Sequence, residues 1–307
     1  MFLVQTSYWR GPWGACAIYG AIWLACIGYL AATDGAFRFA IPSLVIFGVA
    51  FTLLALFLTR RTAAPAVPVV HPKRESLVLL AYMVAYALIA FGPFYTWFKA
   101  FLPDGRIEQS AVLAYKLLVH VVAPGLLILA VGGRLRGLFD HGLGRRGVLP
   151  ALVVFSGGLL AIAALLNGTI GELAGKGFSG PVIAGWVLVS WAWMSVEAGL
   201  NEEFLFRALL QTRLAAWLGS APLAIVLMAV LFALVHVPGW YLRGGEEIAS
   251  QAKTLPQMIA LAIAGIGPIS ILFGVLWHRT RSLLLVVVVH GAIDAMPYVN
   301  RMIENWG

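Results

Sequence analysis

Three short polar motifs lie on otherwise apolar stretches in the last third of this chain. Two adjacent carboxylates are followed four residues later by a guanidinium, the next apolar stretch carries a histidine, and the last carries a histidine and an aspartate four residues apart. An ionisable side chain at the centre of a membrane span costs about 2.5–3.5 kcal/mol on insertion scales, so such residues are functional candidates by default. A carboxylate and an imidazole can together activate a water molecule. The candidate catalytic residues are Glu202, Glu203, Arg207, His236, His290 and Asp294.

The two neighbouring acids are not equivalent. Glu203 precedes Arg207 by four residues, which is the favourable order for an ion pair along a helix. Glu202 points about 140° away from Arg207 around an α-helix. Because Glu202 lacks that partner, it is the better candidate for a general base. The competing interpretation is that both acids merely flank the cytoplasmic end of a helix.

The two histidines predict a convergence of three helices. His236 follows Phe232, and Asp294 follows His290, by four residues, so both members of each pair lie on one helix face. A single histidine on an apolar helix is usually a satisfied core residue. Two histidines on separate helices and a third helix with two acids are harder to explain as core residues, because each of these polar groups needs its own buried partner.

The depths of these residues agree with a common site. The turn at residues 219–222 makes a helical hairpin in which Glu202 lies about 25 Å before the turn and His236 about 21 Å after it. His290 lies roughly 13 Å beyond Arg281, near the start of the last apolar stretch. We therefore expect the three side chains at one level.

The elements that must position these residues are membrane-spanning helices. The chain is 61% hydrophobic and 11% charged, whereas a soluble domain is roughly 25% charged. We predict an all-α polytopic transmembrane bundle of about nine spans, long enough for a hydrocarbon core of about 30 Å. Nucleic-acid binding is not expected, because no dense Lys/Arg tract lies beside aromatic residues. The predicted spans are residues 13–33, 39–59, 77–101, 111–132, 149–167, 183–217, 221–241, 257–277 and 282–299.

The distribution of basic residues predicts the orientation. With the N-terminus inside, twelve of the 21 Lys and Arg residues fall in inner segments and seven in outer ones, with Lys116 and Arg207 inside spans. Basic residues favour the cytoplasmic side. We therefore expect a multi-pass integral membrane protein, in the plasma or inner membrane if the source is bacterial. Its N-terminus is expected to be cytoplasmic and its site to open toward the cytoplasm.

The basic loop 132–146 marks the expected domain boundary. Residues 1–146 form a four-helix transmembrane region without an assigned role, and residues 147–307 carry the chemistry. Within the first region, Lys116 and His120 share a helix face, and we interpret them as turned toward a helix interface or reaching to the membrane edge. The 60–76 segment is predicted to be a loop. Glu197 is expected to line the cavity or to pair with Asn201.

The order and spacing of the three motifs resemble the CPBP family of intramembrane proteases. This family comprises the CAAX prenyl endoprotease Rce1 and its bacterial, Abi-type relatives. The distances of 34 residues from Glu202 to His236 and of 54 from His236 to His290 suit the family, and the resemblance covers about residues 180–300. It implies a helical core with a water-filled cavity and peptide hydrolysis without an acyl-enzyme. By resemblance, Glu202 with His236 activates water, and Glu203 with Arg207 orders the site.

The resemblance also implies that His290 and Asp294 stabilise the oxyanion, but the family's last motif often ends in Asn. An ionised Asp294 would repel an oxyanion. Asp294 is therefore protonated, orients His290, or joins a metal site. No cofactor is expected, although Zn²⁺ bound by Glu202, His236 and His290 is the alternative. The metal-free glutamate mechanism is favoured, because no His-Glu-x-x-His pair exists in the sequence.

The substrate expected from this resemblance is a membrane-associated peptide or protein. A lipidated CAAX-type tail and a leader peptide both suit basic cytoplasmic loops and an apolar cavity, and membrane lipid is the other partner. A different class of function, a proton-coupled transporter or membrane scaffold, would use the same buried ionisable residues as a relay. Transporters commonly have two related halves, and no such symmetry is visible here.

Overall fold

The computed structural model describes residues 2–4, 11–33, 37–90, 92–243 and 252–307. Most of these residues are helical. The helices are α1 Pro12–Ala32, α2 Phe37–Leu58, α3 Pro72–Ala90, α4 Pro93–Lys99, α5 Arg106–Ala130, α6 Val148–Leu166, α7 Thr169–Gly175, α8 Gly180–Leu218, α9 Ala221–Arg243, α10 Leu255–Thr280 and α11 Leu283–Trp306.

The expected number of membrane spans agrees with the structure. Eight of the described helices are long and apolar enough to cross a membrane, and α3 with α4 makes a ninth if the bent pair is one span. The third span, predicted over residues 77–101, is a bent pair in the structure, because α3 and α4 meet at an angle of 46°. Pro93 at the start of α4 explains the break, since proline lacks the amide donor of a continuous helix.

Local sequence chemistry sets the ends of the helices that carry the candidate site. Gly219 adopts a left-handed conformation with φ +61° and ends α8, and α9 begins two residues later, as the turn predicts. The Ser282 hydroxyl caps α11 by accepting a bond of 3.1 Å from the Leu285 amide. Helix α11 continues to Trp306, beyond the predicted end at 299.

A two-stranded antiparallel ribbon is an addition to the predicted all-helical fold. Strand β1 (Phe2–Val4) pairs with β2 (Val67–Val69), with Leu3 opposite Pro68. The 60–76 segment is thus not entirely loop. Strands of three residues are too short to give a periodic signal, and Pro68 further argues against a strand in the sequence.

The interior of the bundle lies around the second half of α8, which α9, α10 and α11 surround. Residues 203–216 of α8 are all buried. The outer helices instead expose large apolar side chains, including Leu24, Leu53 and Val153, each more than 60% exposed. Lipid-facing apolar surface is the expected counterpart of a span in hydrocarbon.

Described residues of the 1–146 region pack directly on α8 and α10. The Tyr19 hydroxyl donates to the Ile263 carbonyl at 3.2 Å, and a fully buried ion pair of 3.2 Å joins Glu75 in α3 to Arg213 in α8. Removing one member of a buried ion pair is strongly destabilising. The helices on the two sides of the predicted boundary at 146 therefore stabilise each other, and the boundary itself stays a prediction.

Candidate active site

Glu203 and Arg207 form a dry ion pair at the centre of the bundle. Their charged groups lie 3.1 Å apart and both side chains are fully buried, as the spacing of four residues predicts. The guanidinium also donates to the Ser270 hydroxyl of α10 at 3.1 Å and lies over the Phe232 ring of α9, 4.1 Å from its centroid. One side chain of α8 is thereby tied to two neighbouring helices.

Glu203 also holds the imidazole of His290. Its Oε1 atom lies 2.7 Å from His290 Nδ1, so the same oxygen contacts both a guanidinium and an imidazole. The imidazole is stacked on the Phe273 ring at 4.9 Å with an angle of 9°. The carboxylate that orients His290 through Nδ1 is therefore Glu203, whereas the sequence offered Asp294 for this role.

Asp294 and Glu202 both face the other nitrogen of His290. Asp294 lies 3.3 Å and Glu202 3.7 Å from Nε2. An imidazolium satisfies this arrangement, because it has an N–H donor on each side. The two distances on the Nε2 side exceed that of a good hydrogen bond, so this N–H is not committed to one acceptor.

A small cavity separates Glu202 from His236. It has a volume of about 10 Å³ and is lined by Tyr86, Glu202, Phe206, Val235 and His236. A cavity needs at least about 10–15 Å³ to hold one water molecule, so this one lies at the lower limit. The His236 Nδ1 atom lies 2.7 Å from the Phe232 carbonyl, so Nδ1 carries a proton, and in the neutral imidazole Nε2 is the acceptor. The structure thus brings Glu202 and His236 to one water-sized space.

A family model described as type II CAAX prenyl endopeptidase, Rce1-like, matches residues 184–296. The match covers about a third of the chain, and this segment is similar to the Rce1-like family. It includes all six candidate residues. Searches of curated proteins and of solved structures found no match to the chain. With the apolar helices, the match supports an integral membrane protein with an intramembrane endopeptidase domain of the CAAX type in general.

The Rce1-like segment departs from ordinary α-helix at its polar residues. Helix α8 is π-helical over Ser195–Leu200 and Glu203–Gln211, on either side of Glu202. The 100° rotation per residue expected from the sequence therefore does not hold here. π-helical segments also lie in α2, α3 and α5, so this geometry is not confined to the site.

Two glycines let α8 and α11 approach closely beside His290. A Cβ atom at Gly199 would lie 2.3 Å from the Val287 carbonyl oxygen, and one at Gly291 would lie 2.3 Å from the Ser195 hydroxyl. Both distances are far below van der Waals contact. The contact between the helices fixes the height of His290 relative to the acids of the Rce1-like segment.

The polar residues near the site that lay outside the predicted set are paired across helices. Lys116 of α5 binds Glu197 at 3.0 Å, and Tyr298 donates to the other oxygen of Glu197 at 3.2 Å. The Asn201 side chain donates to the Glu197 backbone carbonyl at 2.8 Å, so the two residues pair, as one of the two expectations had it, through the backbone of Glu197. Lys116 therefore faces a helix interface, one of the two positions considered.

Metal binding was the alternative chemistry for this site. Within the described ranges, no group of three or more His, Cys, Asp or Glu side chains is placed to hold a metal ion. The acids and imidazoles of the site instead bind each other, through contacts such as Glu203 to His290. The zinc alternative remains a hypothesis for experiment.

Tyr86, Ser270 and Phe273 contact the site but were missed by sequence analysis. Tyr86 lies more than a hundred residues before Glu202 and outside the Rce1-like segment. The other two residues lie on α10, which carries no motif. A serine and two aromatic residues on apolar helices give no signal in a single sequence, because such residues are common in membrane bundles.

Proposed function

We propose that this protein is a metal-independent glutamate endopeptidase that hydrolyses a peptide bond of a membrane-associated or lipidated substrate. The observation that supports it most is the water-sized cavity between Glu202 and His236. One carboxylate and one imidazole acceptor on either side of a single water are the parts that general-base hydrolysis requires.

The proposed reaction begins with attack by water. Glu202 takes one proton from the water as its oxygen bonds to the carbonyl carbon of the scissile amide. The resulting tetrahedral intermediate carries an oxyanion. This intermediate collapses as the C–N bond breaks, and Glu202 delivers its proton to the leaving nitrogen. His236 Nε2 is the second acceptor that can take part in this proton transfer. The products are a carboxyl group and an amine, so no acyl-enzyme is needed.

His290 is the proposed donor to the oxyanion. Its Nε2 side faces Glu202 at 3.7 Å and Asp294 at 3.3 Å, so this N–H is positioned to donate to an oxyanion that forms beside Glu202. Preorganised donors of this kind are usually the largest single contribution to catalysis of acyl transfer.

The substrate class follows from the family and from the distribution of charge. The printed description of the family is a CAAX prenyl endopeptidase, which supports a lipidated tail, and a leader peptide remains the other candidate. The excess of basic residues in the inner segments supports a cytoplasmic N-terminus and a site that opens to the cytoplasm.

The test uses the full-length protein in liposomes. One substrate is a quenched fluorescent peptide that ends in a farnesylated Cys-aliphatic-aliphatic-X sequence, and a second readout compares protein termini in membranes with and without the active enzyme. We expect Glu202→Gln and His236→Ala to lower the rate at least about 100-fold. Glu304→Gln, at an exposed position of α11, is the matched control.

Two outcomes would contradict the proposal. Cleavage at the wild-type rate by folded Glu202→Gln protein would exclude the role of Glu202 as the base. Proton-linked solute uptake into the same liposomes that is lost in Glu202→Gln, without any cleavage, would favour the transporter alternative.

A further inference from the structure

Tyr86 forms one wall of the water-sized cavity and comes from the N-terminal region. It lies in α3, is 4% exposed, and shares the cavity with Glu202 and His236. The matched Rce1-like segment begins at residue 184, so Tyr86 is a neighbour of the proposed site that lies outside it.

The Tyr86 hydroxyl is fixed by His120 of α5. The oxygen lies 2.7 Å from His120 Nε2, and His120 Nδ1 lies 2.9 Å from the Lys116 carbonyl. A carbonyl only accepts, so Nδ1 carries the proton and Nε2 must accept. The Tyr86 hydroxyl therefore donates its proton to His120, and the lone pairs of its oxygen serve as acceptors.

The same argument applies to His236, whose Nδ1 donates to the Phe232 carbonyl. Three side chains that line the cavity carry acceptors: the Glu202 carboxylate, the neutral His236 imidazole and the Tyr86 hydroxyl. Water has two protons, so it donates to two of them at once. If these two are Glu202 and Tyr86, both protons point into the protein, the lone pairs point toward the substrate as a nucleophile needs, and His236 Nε2 takes part only in the later proton transfer.

We propose that Tyr86, held by His120, is a positioning residue that orients the attacking water, so that the N-terminal region completes the active site. This inference rests on the proposed function, because it assigns a role in the same hydrolysis. It also gives residues 1–146 a defined part in catalysis.

The neighbouring Tyr82 supplies a matched control. It lies one turn earlier on α3, and its hydroxyl donates to the Val119 carbonyl of α5. Both tyrosines therefore bond from α3 to adjacent residues of α5, but the cavity is lined by Tyr86 and not by Tyr82. Removing either hydroxyl deletes one hydrogen bond between the same two helices, and only Tyr86→Phe removes an acceptor from the water.

The kinetic experiment compares Tyr86→Phe with Tyr82→Phe in full-length protein in liposomes, using the farnesylated quenched peptide and the membrane-protein substrates found by terminal analysis. We expect Tyr86→Phe to lower kcat about 10-fold, with KM unchanged, from the loss of one hydrogen bond. Tyr82→Phe should keep the wild-type kcat. His120→Leu should resemble Tyr86→Phe, and His120→Gln, which restores an acceptor, should recover most of the rate.

The possible results separate this inference from the proposed function. If Glu202→Gln is inactive while Tyr86→Phe keeps the wild-type kcat, the role of Tyr86 is refuted and the proposed function stands. If Tyr86→Phe and Tyr82→Phe lose rate equally, the hydroxyl acts only in helix packing and the inference is also refuted. Full activity of Glu202→Gln would refute the proposed function itself.

An experimental structure of the wild-type protein tests the inference without any substrate. At a resolution that reveals ordered water, we expect one molecule within about 3.2 Å of the Tyr86 oxygen and of Glu202. In a structure of the Tyr86→Phe variant at the same resolution, this water molecule should be absent or displaced. A dry cavity in the wild-type protein, or a water bound by Glu202 and His236 alone, would refute the role of Tyr86.

Discussion

The close approach of α8 and α11 makes Gly291→Ala a stringent perturbation of the site. The added Cβ would lie 2.3 Å from the Ser195 Oγ atom, 2.6 Å from its amide nitrogen and 2.7 Å from its Cα. Ordinary contacts are about 3.5–4.0 Å, so the two helices must separate by roughly 1 Å. Two of the three atoms belong to the backbone, and a change of rotamer at Ser195 therefore cannot relieve the clash.

The effect should appear in catalysis more than in folding. Gly291 follows His290 directly, so the displacement moves the imidazole away from Glu203 and Glu202. A misplacement of about 1 Å can cost about 100-fold in rate, whereas overpacking a core typically costs about 1–3 kcal/mol in stability. We expect Gly291→Ala to lose about 100-fold in kcat while still folding in the membrane.

The assay is peptide cleavage in liposomes, with thermal unfolding in detergent as the measure of folding. Gly158→Ala on α6 is the matched control, because a Cβ there meets nothing within 4 Å, and it should keep the wild-type rate. The double variant Ser195→Ala with Gly291→Ala should remain impaired, since the backbone contacts persist. A wild-type kcat in folded Gly291→Ala would refute the argument that this contact sets the position of His290.

Two further predictions concern the ion pair and the metal. Arg207→Leu leaves the buried Glu203 carboxylate without its guanidinium and should destabilise the protein by about 3–5 kcal/mol; an unfolding midpoint equal to that of the wild type would contradict this. Under the glutamate mechanism, treatment with EDTA or 1,10-phenanthroline should leave cleavage unchanged. A loss that added Zn²⁺ restores would instead favour the alternative ligand set of Glu202, His236 and His290.

The local pairings of the site could be predicted from the sequence, because they follow from helical periodicity. Glu203 with Arg207 and His290 with Asp294 are each four residues apart, and the structure places both pairs in contact. The order of the spans and the turn at Gly219 were equally accessible, since apolar length and glycine conformation are local properties. The catalytic roles of these residues remain predictions.

Contacts between distant helices could not be predicted in this way. The bond from Glu203 to His290 joins residues 87 positions apart, and the one from Tyr86 to His120 joins residues 34 apart. The rotation of α8 within the bundle decides which atom of Glu203 reaches the imidazole, and the π-helical segment Glu203–Gln211 changes that rotation. Periodicity of the apolar residues does not report such a change, since the whole segment is buried.

The exposure of the three acids increases along the polar cluster. The side chain of Glu203 is fully buried, that of Glu202 is 21% exposed and that of Asp294 is 34% exposed. A fully buried carboxylate needs fixed partners, and Glu203 has Arg207 and His290. A general base must instead exchange protons with water in every turnover, and only a carboxylate next to a hydrated space can do so. Under the proposed mechanism, the same gradient explains the two adjacent acids: Glu203 contacts the imidazole, and Glu202 would remain available for the water.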